Sequence, residues 1–130
     1  MIQLIRYIDE IAVRDQTNVM YITFARSQFN GEPERWEVRS NIMQWCENES
    51  IPLYKCSGIS LQEGINSYQG QLHVDIPYDL QDERFKTVDR YLENSDGSPR
   101  FAGVTFKLLT LDDAKQSYAQ YQQQEEYWLG

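Results

Sequence analysis

One histidine, two cysteines and four prolines are spread over 130 residues, and basic side chains are fewer than acidic ones. Each shortage removes a class of function. His73 is the sole imidazole, and Cys46 and Cys56 are not paired as C-x-x-C, so the ligand spacing of a zinc centre is missing and no metal is expected. Two thiols make no disulfide framework, and reduced, buried cysteines are the expectation. No stretch approaches the ~20 apolar residues that span a bilayer. The first residues lack the basic start and long apolar run of a signal peptide, so a cytoplasmic, membrane-free chain is read. There is no G-x-G-x-x-G, no P-loop and no G-x-S-x-G, and therefore no cofactor is expected.

Positive charge is short as well. Twelve Lys and Arg stand against twenty Asp and Glu, for a net charge of −8. Acid exceeds base in both halves of the chain, so the charge is not confined to a tail. Such a surface repels phosphate backbones, which disfavours direct nucleic-acid binding. It attracts a basic protein surface, although a charge of this size also serves plain solubility.

Hydrophobic content of 41% and aromatic content of 13% argue for a packed core. The length suits one domain spanning 1–130. The clearest stretch is 70–79, where Leu72, Val74 and Ile76 alternate with Gln71, His73 and Asp75. That period of two marks a half-buried strand, closed by Pro77, with Asp79 as the cap of the next helix. Val19 to Ala25 is nearly continuous in strand formers and reads as a central strand covered on both faces. Ile51 to Cys56 reads as a short strand, and Pro52 in it suggests an edge or a strand start. Ala102, Val104, Phe106 and Leu108 alternate as a fourth strand. A helix opening near Pro33 buries Val38, Ile42, Trp45 and Cys46 and stops near Asn48. Another buries Phe85, Val88 and Leu92. Terminal helices are read over 2–13 and 111–128. The connection over 57–69 is weakly patterned, and 94–99 is the strongest turn signal.

The core over 19–109 thus runs β-α-β-β-α-β. That order is the ferredoxin-like split motif, a four-stranded antiparallel sheet with both inner helices on one face, here with extra N- and C-terminal helices. The fold class is α+β, and such a fold hosts many unrelated functions.

Three groups of side chains carry the functional expectations. His73 and Asp75 share a strand face, at ~6.5–7 Å between Cα atoms, with Cys56 on the neighbouring strand. They would be the acid, base and nucleophile of a small enzyme or the lining of a ligand pocket near 57–69; a solvated polar face and a structural thiol are the plainer reading. Asp82, Asp89 and Glu93 fall on one side of a helix. They read as a steering stripe for a basic partner, or else as an ordinary face with ion pairs such as Lys86 to Asp82. Tyr121, Tyr127 and Trp128, with Leu111, Ala114 and Tyr118, give the C-terminal helix an aromatic face. Packing on the chain's own open sheet face comes first for it, and homodimerisation second. The expectation is therefore an acidic protein-binding module or inhibitor, of the immunity or phage-inhibitor kind, engaging a basic surface. A small enzyme or ligand-binding domain is the alternative.

Overall fold

A run of β-branched, aromatic and long apolar residues favours extended backbone, and Val19, Met20, Tyr21, Ile22, Thr23 and Phe24 form strand β1 (Val19–Phe24). The computed structural model describes residues 7–25, 28–56 and 70–116. β1 pairs antiparallel with β3 (Leu72–Val74) on one side and with β4 (Val104–Leu109) on the other. The short strand β2 (Leu53–Lys55) lies outside β3, also antiparallel, giving the order β2-β3-β1-β4. In this register Tyr21 faces both His73 and Lys107, and Tyr54 faces His73 across the other ladder.

Alternation along the strands sorts the core into two clusters. Met20, Ile22, Phe24, Leu72, Val74 and Val104 pack with Trp36, Ile42, Cys46, Val88 and Leu92, from or beside helices α2 (Glu37–Asn48) and α3 (Glu83–Leu92). Val19 and Tyr21 face the other way. They pack with Ile8, Ile11 and Ala12 of helix α1 (Ile8–Asp15), with Cys56, and with Ala114 in the helical residues 111–116. The sheet is therefore covered on both faces, which is why β1 reads as continuously apolar. The class is α+β with an open antiparallel sheet.

Several boundaries differ from the sequence reading. Tyr7 is extended, at φ −79° and ψ 144°, so α1 starts at Ile8 rather than near Ile2; residues 1–6 lie outside the described residues. The helix then runs through Arg14 and Asp15, assigned above to neither helix nor strand, until Gln16 turns left-handed at φ 53°. Pro33 opens a separate 3-10 turn (Pro33–Arg35) instead of α2. Trp36 breaks the two apart with an extended backbone, because its indole is buried against Phe24 and Phe29 and donates Nε1–H to the Asn30 carbonyl at 2.9 Å.

β3 stops at Val74, short of Ile76. The next position of the β2 partner is Pro52, whose carbonyl accepts from Asp75 N–H at 3.0 Å but which has no N–H to return. The cap of α3 is Asp82, not Asp79. Asp82 Oδ1 accepts from the backbone N–H of Arg84 (2.8 Å) and Phe85 (3.3 Å), whereas Asp79 Oδ1 accepts from Gln81 N–H in a turn before the helix. Both aspartates suit a cap chemically. Starting at Glu83 is what aligns Phe85, Val88 and Leu92 with the sheet. Above the sheet, α2 and α3 meet through Trp45 stacked on Tyr91, with centroids 3.8 Å apart and planes 2° off parallel.

Candidate functional site

Among the described residues, two concave places bring several titratable side chains together. The first is a groove of about 170 Å³ between α3 and the edge strand β4, lined by Met20, Tyr78, Phe85, Phe106, Lys107 and Leu108 with Asp89 and Glu93. Its wall is aromatic because α3 lays Phe85 against Tyr78 edge-on (5.3 Å) and near Phe106 (6.3 Å). Asp89 and Glu93 are one helical turn apart, so their carboxyls meet on the same side. Glu93 is held there from both ends of its backbone. Its N–H donates to the Asp89 carbonyl at 2.9 Å, and the residue bridges to Pro99 across the 94–98 turn.

Two carboxylates this close cannot both ionise freely. The hydrogen bond that the protonated Glu93 donates to Asp89, then burial, then the Asp89 charge push the Glu93 carboxyl from the usual 4.5 up to about 7. Neither acid is in a salt bridge with a described cation. The ion pairs nearby go elsewhere: Lys86 Nζ lies 3.7 Å from Glu83 rather than on Asp82, and Arg84 lies 3.6 Å from Asp82.

This pair makes the fold less stable as it ionises. The folded form holds a proton on Glu93 that the unfolded chain has released between pH 4.5 and about 7, so stability falls as pH rises through that window. Glu93→Gln is expected to stabilise the protein by about 1 kcal/mol at pH 8, a modest figure because the pair is half-buried and partly screened by solvent, and to change little below pH ~4.5. Urea unfolding at the two pH values checks it.

The second place is a cavity of about 340 Å³ between α1 and the β2–β3 side of the sheet, lined by Ile11, Arg14, Asp15, Tyr54, Lys55, His73 and Asp75. β3 turns His73 toward α1, not toward α2 and α3, and leaves it 8% exposed. Burial pulls the imidazole below 6.5, against the Asp75 and Asp15 charges, which raise it; Arg14 adds to the lowering.

The structure brings His73 and Asp75 to one cavity but leaves Cys56 out of it. Cys56 lies two residues along from Tyr54, the residue that faces His73, and its N–H reaches the Gln71 carbonyl at 3.5 Å. Its thiol is fully buried under α1, and burial pushes it up to about 12, which suits a packed thiol and not a nucleophile. Of the steering stripe, Asp82 is spent on capping its own helix, while Asp89 and Glu93 stand together in the groove. Tyr121, Tyr127 and Trp128 lie outside the described residues, as do Tyr118 and the 57–69 connection.

The sequence reading missed the groove's aromatic wall. Its signal is partly present, since Phe85 and Asp89 are four apart, but Phe106 joins them only through the β1–β4 register. Among the described residues no cluster of three metal-binding side chains occurs, and no helix is long and apolar enough to cross a membrane.

Comparison with protein-family models, with curated proteins and with solved structures gives no match. The class that fold and site define is thus an α+β domain with a four-stranded antiparallel open sheet and a paired-acid, aromatic-walled groove at one edge.

Proposed function

We propose that this chain is an acidic protein-binding module, of the kind that inhibits or neutralises its partner, and that it receives a basic side chain of that partner in the α3–β4 groove. One observation carries the reading: Asp89 and Glu93, one turn apart, line the groove beside Tyr78, Phe85 and Phe106, with no described cation in salt-bridge contact, and their closeness raises the Glu93 carboxyl. A guanidinium or ammonium entering there relieves the carboxylate repulsion, displaces the proton and lies against aromatic faces. The net charge of −8 steers such a partner in. A cytoplasmic setting agrees with two free, buried cysteines. Support for a ferredoxin-like core comes from the strand order, which reads β4-β1-β3-β2 from the other edge with every neighbour antiparallel. The sequence's C-terminal aromatics, Tyr121, Tyr127 and Trp128, are proposed as a second contact, toward the same partner or a second copy of the chain.

The test is titration with a hexa-arginine peptide at low salt. The expected result is that Asp89→Asn with Glu93→Gln weakens binding about tenfold, a loss near 1.4 kcal/mol. Glu47→Gln with Glu49→Gln removes two carboxylates, at least as much charge, from exposed positions at the end of α2 and is expected to cost less than about twofold. Equal losses from the two double variants would reduce the interaction to net charge and sink the groove.

A further inference from the structure

We propose that the cavity between α1 and the β2–β3 side of the sheet binds a small organic monocation, an amine or amidine on a compact apolar body, held by the Asp75 carboxylate and a hydrogen bond to His73. The inference is independent of the α3–β4 groove, which lies on the opposite face of the sheet.

His73 is the observation that asks for a ligand. It is 8% exposed, it lines the cavity, and while its backbone belongs to the ladders with β1 and β2, its imidazole makes no hydrogen bond among the described residues. A neutral imidazole has one donor and one acceptor, and a buried polar group left unmatched is costly. A group arriving in the cavity supplies the missing partner. The volume, about 340 Å³, falls within the ~300–1,000 Å³ of ordinary ligand pockets.

The charges around it select the class. Arg14 is spent on Asp15 through two bonds of 2.8 and 2.9 Å. The Lys55 ammonium is bonded to Glu34 at 3.1 Å. Asp75 is exposed and forms no salt bridge among the described residues, so while the four lining charges sum to zero with His73 neutral, Arg14, Asp15 and Lys55 are each held in an ion pair and Asp75 is the one left to meet a ligand. Ile11 offers an apolar patch, and the Tyr54 ring, 6.2 Å from the imidazole, offers a flat one. A monocation with a small apolar body matches all of these.

Proton linkage follows from the same neighbours. The charged groups facing His73 are Arg14 and Asp15 from α1, Lys55 from β2 and Asp75 after β3, with the Tyr54 hydroxyl also on β2. Burial favours the neutral ring, so the site is ready at neutral pH. Acid protonates His73, and the imidazolium then repels the ligand's own charge.

Because His73 is the sole histidine, its ring signals in a proton NMR spectrum of the untagged protein need no assignment. Benzamidine serves as the cationic probe and benzoate as the anionic control, each taken to millimolar concentration. The expected result is a saturable shift of the His73 ring with benzamidine and none with benzoate. Asp75→Asn, a change at an exposed position, is expected to weaken benzamidine about tenfold. Followed through benzamidine's own ring signals, affinity is also expected to fall about tenfold from about pH 7.5 to about pH 5, and His73→Gln, which keeps hydrogen-bonding capacity but does not titrate, to lose that pH dependence. No saturation with benzamidine, an equal response to benzoate, or an unchanged affinity in Asp75→Asn would overturn the proposal.

Discussion

Gly70→Ala is expected to remove about 3 kcal/mol of stability. Gly70 sits at φ +92°, a conformation that L side chains rarely adopt. A Cβ there meets Trp36 Cζ3 at 2.7 Å and Pro33 Cβ at 3.0 Å. Trp36 has little room to yield, because it is buried among Phe24 and Phe29 and its indole N–H is tied to the Asn30 carbonyl. Strained backbone contributes ~1–2 kcal/mol and overpacking ~1–3 kcal/mol. Urea unfolding monitored by tryptophan fluorescence should show a lower midpoint with an unchanged slope. A loss below ~1 kcal/mol would mean that the turn into β3 relaxes freely.

Arg39→Ala comes next, at about 3 kcal/mol. Arg39 is 2% exposed on the buried side of α2, and its Nε–H donates to the Gly70 carbonyl at 2.9 Å. Removing it leaves a cavity and takes a charge-assisted partner from a backbone carbonyl at the entry to β3. Arg39→Lys is expected to recover only part of the loss, because an ammonium does not reproduce the planar guanidinium fork. Both changes act on one junction, so combining Arg39→Ala with Gly70→Ala should cost less than the sum by more than ~0.5 kcal/mol. Strict additivity would separate the two.

Arg39 and Gly70 show where sequence reading stopped. An arginine at helical spacing looks like a solvated charge, and a glycine before a strand looks like punctuation. Only the folded chain brings these two residues, 31 apart, into contact. Local pattern did carry β1, the end of α2 near Asn48, the edge character of β2 and the Phe85, Val88 and Leu92 stripe, since all of these depend on periodicity and on proline. It misplaced the α3 cap because Asp79 and Asp82 have equal cap chemistry, and the choice between them is made by packing on the sheet.

The candidate sites were legible in the same uneven way. Asp89 and Glu93 were visible as a pair one turn apart. That they face an aromatic groove depends on Phe106, which arrives from β4. His73 was visible as one member of an alternating strand. Its cover was expected from the C-terminal helix, of which Tyr118 and Tyr121 lie outside the described residues; Ile11, Arg14 and Asp15 of α1 line the cavity with it. A strand's alternation tells which residues share a face but not which helix covers that face. Cys56 illustrates the same point: adjacency to β3 was right, and the register set Tyr54 opposite His73 instead.

The central claim is that Asp89 and Glu93 form a proton-holding receptor for a basic side chain. Its most direct test is the side-chain carboxyl carbon of Glu93, followed by NMR through a pH titration with and without the hexa-arginine peptide. The account predicts a midpoint of about 7 in the free protein and a clear fall when the peptide is bound, as the cation displaces the shared proton. A midpoint at the ordinary 4.5 in the free protein, or one that the peptide leaves in place, would contradict it.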